Sequence, residues 1–208
     1  MDENPAQNFY RPGHREIQDR FDSRRLADRL AEVTLAATFS AGDRRLIAAA
    51  PFLWLSTADA EGWPDVSYKG GRPGFVHLLD DNRLAFPSYD GNGMFRSLGN
   101  ITENPRVGLL FCDFDQPWRI RVKGLARLVD EPDVLRQWPG AQVVVEVTAQ
   151  TIFPNCGRYV HRSGEEPSVY APDEGYEPPS PEWKSREAFA DHLPRPNWSR
   201  PDGDQVGP

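Results

Sequence analysis

The stretch Trp63-Pro64-Asp65-Val66-Ser67-Tyr68-Lys69-Gly70-Gly71-Arg72-Pro73-Gly74-Phe75-Val76 decides how the chain is organised. An apolar run and a set of turn residues precede it, and apolar and polar side chains then alternate up to Lys69. Such alternation is typical of a strand with one polar face. The glycines and Pro73 end the strand, because glycine weakens a strand and proline lacks a backbone donor. We therefore predict a hairpin with Lys69 at the mouth of a barrel-like sheet.

Short strands follow at close intervals, a pattern typical of an antiparallel barrel or sandwich. We predict strands over Phe52–Thr57, Asp65–Lys69, Phe75–Leu79, Arg83–Phe86, Val107–Asp113, Arg119–Val129 and Ala141–Ile152. Apolar residues at helical spacing predict helices around Leu26–Ala37, Ala41–Ala49 and Met94–Glu103, with a short one over Pro132–Trp138. The predicted fold class is mainly β with flanking helices.

The chain divides by composition into three segments. Residues 1–50 form an arm and helices that we expect to cover the barrel, residues 51–160 hold the strands, and residues 161–208 form a proline-rich tail. Its 208 residues suit one domain with appended ends.

Charge and composition exclude several classes of function. A net charge of −7 argues against a general nucleic-acid binder, which needs a dense basic surface. No apolar run is long enough for a membrane helix, and the acidic start is unlike a signal peptide, so we expect a cytoplasmic protein. The two cysteines and the histidines show no zinc-binding spacing, so no metal site is predicted.

Several motifs together resemble one known family. They are Pro64–Lys69 with Gly70-Gly71, Leu84–Pro87, Gly91-Asn92, Asn104–Gly108 and Arg121–Gly124. The chain resembles, over Phe52 to Tyr159, the pyridoxamine 5′-phosphate oxidase-like family of flavin-binding split barrels. That resemblance implies an antiparallel split barrel, flavin mononucleotide (FMN) as cofactor, and a two-fold homodimer with the flavin between subunits.

The resemblance also implies roles for individual residues. The strand Asp65–Lys69, which includes Val66, Ser67 and Tyr68, matches the strand that edges the flavin in the family. In the family, the lysine at the end of that strand contacts the ring or the phosphate, and Lys69 stands at that position. A solvated lysine on an edge strand is the alternative reading of Lys69.

Gly91-Asn92-Gly93 precedes a predicted helix, so its amides are a possible anion cradle, or an ordinary turn and cap. Relatives place a basic pair about where Gly93 and Met94 stand, which this chain lacks. Either Arg96, one turn into the helix, or Lys69 with the strand arginines takes the place of that pair; otherwise flavin affinity is reduced or lost.

Three further groups complete the candidate set. On the sixth strand Arg119 matches the family's flavin-contacting position and Arg121 matches an arginine frequent in the nearer relatives, although a solvated outer face explains them equally. Phe86 and Pro87 lead from a strand into the loop before the helix, and His161 lies in a segment that approaches the ligand in relatives. The predicted cofactor-binding residues are Asp65, Val66, Ser67, Tyr68, Lys69, Phe86, Pro87, Asn92, Gly93, Arg96, Arg119 and Arg121.

The resemblance favours an FMN-dependent oxidoreductase that acts on a small molecule, with no catalytic residue assigned. Pyridoxamine phosphate is not the expected substrate, because the tail over Glu165–Pro181 is acidic where the true oxidase is basic. The alternative is a non-enzymatic module that binds flavin, deazaflavin (F420) or haem. A third possibility is an interaction protein with a vestigial site.

Overall fold

A computed structural model describes residues 9–116, 118–160, 164, 168–172 and 174–196. Its helices are α1 (Pro12–Arg20), α2 (Arg24–Thr34), α3 (Ala41–Ala49), α4 (Arg96–Glu103), α5 (Pro132–Leu135) and α6 (Glu187–Ala190), with a 3-10 turn over Glu182–Ser185. Its strands are β1 (Phe52–Ala58), β2 (Pro64–Gly70), β3 (His77–Leu78), β4 (Arg83–Tyr89), β5 (Arg106–Asp113), β6 (Trp118–Val129) and β7 (Ala141–Pro154).

The chain forms two compact units. One combines Met1–Leu35 with Val169–Pro208, and the other spans Ala36–Ser168. In the first unit α2 is tied to the C-terminal segment by hydrogen bonds, including Arg29 Nε to the carbonyl oxygen of Ala188 at 3.1 Å. Arg195 also donates two side-chain bonds of 2.9 Å to the carboxylate of Asp22.

The second unit is built on one seven-stranded sheet with the order β2-β1-β5-β6-β7-β4-β3. All its pairings are antiparallel. Alternate side chains of the strands point to one face, where they form the main core, and we call this the inward face. Leu53, Leu55, Leu109 and Val122 are fully buried there or nearly so. Burial of such a side chain stabilises the fold by roughly 1.5–3 kcal/mol.

A bulge between Lys123 and Gly124 bends β6 against β7. At Gly124 a Cβ atom would lie 2.4 Å from the carbonyl oxygen of Thr148 and 2.9 Å from a methyl group of Val147. Only glycine allows the two backbones to approach so closely. This position therefore helps to set the curvature of the sheet.

The seven predicted strands are all present, most elements differ from their predicted bounds by one to three residues, and three of these differences have a clear local cause. The predicted strand over Phe75–Leu79 is reduced to His77–Leu78, because Phe75 closes a turn through a backbone bond to Arg72. The helix predicted from Met94 begins at Arg96, because Phe95 has a positive φ of 48°. The helix predicted to reach Trp138 ends at Leu135.

Candidate functional site

Strand β2 presents different residues on its two faces. Lys69 pairs with inward-facing Leu53, whereas Tyr68 pairs with Trp54 on the opposite face. By strand alternation, Asp65 and Ser67 share the inward face with Lys69, and Val66 lies with Tyr68 on the outward face. Val66 and Tyr68 are 67% and 60% exposed. The five predicted β2 residues therefore do not meet on one surface.

Lys69 is half-buried at the rim of the inward face. Burial lowers the pKa of its ammonium group, and the carboxylate of Asp65 opposes that shift. Within the described part of the chain, no carboxylate lies within ion-pair distance of this ammonium group. The fold thus keeps a poorly neutralised cation partly out of water.

Helix α4 packs against β1, β2 and β6. Asn100 Nδ2 donates a buried hydrogen bond of 3.0 Å to Oγ1 of Thr57 on β1. At the start of the helix, Arg96 Nε lies 3.9 Å from Oδ1 of Asp65, whose side chain is 27% exposed. These contacts bring the N-terminus of α4 to the polar face of β2.

The start of α4 has no side-chain cap. Its first amide groups therefore lack the partner that a capping residue normally provides. Ser97, in the first turn, is only 5% exposed, and its hydroxyl group makes no hydrogen bond within the described part of the chain. Donors of this kind at a helix N-terminus suit an anion. Sequence analysis missed Ser97; its place directly after Arg96 in the first turns of a predicted helix was the available signal.

The loop before α4 begins beside another serine of low exposure. Ser88, near the end of β4, is 8% exposed and also lacks a hydrogen-bond partner among the described residues. Within the loop, Met94 donates its backbone N–H to Oδ1 of Asn92 at 3.0 Å, and Gly93 has a φ of 74°. The loop is thus an Asx turn, with a buried serine shortly before it and another shortly after it.

Phe86 and Pro87 do not share this surface. Phe86 is fully buried in the main core, and Pro87 is buried as well. Their side chains are closed off from any ligand at the rim, so we leave them out of the proposed site. The reason is that β4 is buried on both faces from Leu84 to Ser88.

Arg119 and Arg121 lie on the outward face, away from Lys69. Arg121 pairs with Leu110, which pairs with Trp54, so these residues form one row with Tyr68. Arg121 is exposed, whereas Arg119 Nε donates a 2.8 Å hydrogen bond to the carbonyl oxygen of Cys156. The side chains of a single chain therefore do not bring Lys69 and these arginines to one ligand.

Among the described residues, no histidine joins Lys69 and Arg96 at this rim. His77 stacks on Trp138 with 4.1 Å between ring centroids, and His161 lies outside the described residues. Among the residues that the structure describes, no group of histidine, cysteine or acidic side chains could hold a metal ion. The described helices also include none long and apolar enough to span a membrane.

Comparison with known proteins identifies one family. The family model described as pyridoxamine 5′-phosphate oxidase matches residues 41–156, more than half of the chain. No curated protein matches.

Solved structures give weaker likenesses, each over somewhat more than half of the chain. HupZ from Group A Streptococcus is 21% identical over 56% of this chain and 93% of its own, with a TM-score of 0.47. An FMN-binding protein from Syntrophomonas wolfei is 14% identical over 55% and 89%, with a TM-score of 0.40. An F420 reductase is 19% identical over 57% and 97%, with a TM-score of 0.38.

Proposed function

Because the chain belongs to the pyridoxamine 5′-phosphate oxidase-like family of split barrels, we propose that it is an oxidoreductase that binds FMN and acts on a small molecule. The observation that carries the proposal is that two features suited to an anion, Lys69 and the start of α4, both adjoin the inward face of β2. Lys69 is a half-buried cation without an ion pair, and the uncapped start of α4 packs against the same strand.

The donor set at this rim fits the terminal phosphate of FMN. A phosphate needs positive charge and several hydrogen-bond donors. Lys69 and Arg96 supply charge, while the first-turn amides of α4 and the hydroxyl group of Ser97 supply donors. We propose that these four groups hold the phosphate.

The protein's contribution is binding and electrostatics. FMN, when bound, supplies the transfer of electrons to or from the substrate. Lys69 and Arg96 hold positive charge beside the cofactor, and Asp65 orients Arg96 through their contact of 3.9 Å. One carboxylate against two cations leaves one net positive charge, which favours an anionic ligand.

The second candidate function is a non-catalytic carrier of flavin, deazaflavin or haem. Two observations favour it: the chain lacks a basic pair at Gly93 and Met94, and Asp65 cancels part of the remaining positive charge. A site of this charge fits a cofactor with less phosphate charge than FMN. Turnover distinguishes the carrier from the enzyme.

We also propose that the protein acts as a homodimer through the outward face of β1 and β2. Strand β2 ends the sheet order, so its outer edge pairs with no described strand. Its exposed Tyr68 stacks on Phe52 with 5.1 Å between centroids, and Val66 and Trp63 add exposed apolar surface. Exposed apolar patches at a sheet edge favour pairing with a second copy.

Analytical ultracentrifugation tests the dimer. The parent protein should sediment as a dimer and the Tyr68→Glu variant as a monomer; a monomeric parent protein would contradict the proposal.

Cofactor content tests the proposed function directly. The purified protein should show a flavin absorption spectrum and release a compound with the mass of FMN, and the unloaded protein should bind FMN more tightly than riboflavin. Lys69→Met and Ser97→Ala should each reduce that preference at least about fivefold, whereas Lys184→Met, the matched loss of a lysine elsewhere, should not. A protein that takes up no flavin contradicts the proposal. Oxidation of a reduced nicotinamide by the loaded protein separates the enzyme from the carrier.

A further inference from the structure

Phe95 lies directly before α4 in a strained backbone conformation. Its φ of 48° and ψ of 25° belong to the left-handed region. Among the described residues, only Asp22 and Phe95 have a positive φ without being glycine. Aspartate reaches this region at a small cost in free energy, whereas a bulky residue there is a true outlier. Phenylalanine at this position therefore reduces the stability of the fold.

Packing within the described part of the chain does not offset that cost. Phe95 is 54% exposed, its neighbour Met94 is 65% exposed, and no described aromatic ring contacts Phe95. A phenyl group also offers no acceptor to the first amide groups of the helix, so capping does not explain the residue. Glycine would adopt the same backbone without strain. Strained residues of this kind cluster where a protein holds a ligand.

The position of Phe95 is tied to the proposed phosphate site. Its carbonyl oxygen accepts a hydrogen bond of 2.8 Å from the backbone N–H of Gly99, which fixes Phe95 to the first turn of α4. The next two residues, Arg96 and Ser97, are among the groups proposed to hold the phosphate, and Arg96 Nε lies 3.9 Å from Oδ1 of Asp65. An exposed phenyl group therefore borders a set of polar donors. Small-molecule sites combine apolar walls with a few polar groups in this way.

We propose that Phe95 binds a planar aromatic ring, which belongs either to the flavin or to a substrate held beside the flavin. The inference rests on the proposed function, because it takes the start of α4 as the anchor of the cofactor. Packing of two aromatic rings removes apolar surface of both from water and adds a directional attraction. Met94 contributes adaptable apolar surface next to the ring. Phe95 is thus a specificity-determining residue that the fold retains despite its strain.

The variant Phe95→Gly tests the flavin as the source of the ring. It removes the phenyl group, relieves the strain and introduces no capping group, so its urea midpoint should equal or exceed that of the parent. If Phe95 packs on the flavin, cofactor-free Phe95→Gly should bind FMN and riboflavin about threefold to tenfold more weakly, because both contain the ring. Phe95→Tyr keeps an aromatic ring and should bind both flavins as the parent does.

A second titration tests the substrate as the source of the ring. In that case both flavins bind Phe95→Gly and the parent equally. Menadione, a planar naphthoquinone, should then bind the FMN-saturated variant about threefold to tenfold more weakly than the FMN-saturated parent, as the flavin absorption spectrum reports. Phe21, 37% exposed in the other compact unit, provides the matched control. Phe21→Ala should leave all these affinities unchanged.

Three results would overturn the inference while the proposed function stands. One is unchanged affinity of Phe95→Gly for both flavins and for menadione. Another is a clearly lower urea midpoint, which would assign Phe95 to the fold. The third is a monomeric variant from a dimeric parent, which would assign the phenyl group to the subunit interface. Failure of the proposed function looks different, because the parent protein itself would then take up no flavin, and both proposals would fall.

Discussion

Asn100 and Thr57 share a hydrogen bond of 3.0 Å between side chains that are both buried. Asn100 lies on α4 and Thr57 on β1, so this bond fixes the helix on the sheet. The start of that helix carries Arg96 and Ser97. The position of the proposed phosphate site therefore depends on this buried hydrogen bond.

Asn100→Leu should destabilise the protein by about 1–3 kcal/mol, because the Thr57 hydroxyl group would be buried without a partner. Urea unfolding should show the loss as a lower midpoint, and FMN affinity should fall as the helix start shifts. The double variant Asn100→Leu with Thr57→Val removes both polar groups and should recover part of the stability. An unchanged midpoint in the single variant would contradict this role.

Lys69→Met should make the cofactor-free protein equally or more stable at neutral pH, while weakening FMN binding. Burial lowers the folded-state pKa of Lys69 below 10.5, so the fold disfavours the charged ammonium group. The resulting loss of folding stability is present in full below the folded-state pKa and disappears as pH rises towards 10.5. The stability difference between variant and parent, measured by thermal unfolding from pH 7 upwards, should shrink over that window. A variant clearly less stable at pH 7 would argue for a structural role.

Asp65→Asn should strengthen FMN binding about threefold to tenfold, or about 0.7–1.4 kcal/mol, because it removes a negative charge beside the proposed phosphate site. Riboflavin, which has no phosphate, should bind the variant and the parent equally. Fluorescence titration with both flavins measures the difference. Equal effects on the two flavins would place the phosphate away from Asp65.

Gly124→Ala should destabilise the fold by about 2–3 kcal/mol, since its Cβ atom would overlap the backbone of Thr148. Gly108→Ala on the neighbouring strand is the matched control: its Cβ atom would lie 3.7 Å from Ser56 Cβ, an ordinary contact. Urea midpoints of the two variants should therefore differ clearly. Similar midpoints would mean that the bulge relaxes at little cost.

Asp22→Asn should loosen the C-terminal segment at neutral pH but not in acid. Hydrogen bonds from the Arg195 side chain hold the pKa of Asp22 below 3.8 in the folded state. The resulting stabilisation is present above the unfolded-state pKa and is lost as pH falls through the lower folded-state value. Asparagine tolerates the positive φ of 48° at this position, so the backbone is not a confounding factor.

Hydrogen exchange of the segment around Arg195, corrected for intrinsic rates, measures this effect. Exchange at neutral pH should be up to about fivefold faster in the variant, as expected for an exposed ion pair. Asp19→Asn, which removes the separate pair with Arg24, is the control. A difference between variant and parent that persists below the folded-state pKa of Asp22 would contradict the assignment.

The strands, the turns and the two faces of β2 were predictable from the sequence, because alternation and turn residues act over a few positions. In β4, alternation alone could not reveal that Phe86 and Pro87, which lie on opposite faces of the strand, are both buried. The sequence also placed Lys69, Asn92 and Arg96 in one candidate set, and the family resemblance supplied the reason.

Only the tertiary structure decided which distant groups meet. The contact between Asp65 and Arg96, the buried bond that places Ser97, and the convergence of Arg119 and Arg158 on Cys156 all join elements far apart in the chain. Local propensity determines strands and helices, because it depends on neighbouring residues. The packing of α4 on the sheet and the course of the chain after β7 depend on the whole core. The groups that they bring together can therefore be identified only from the folded structure.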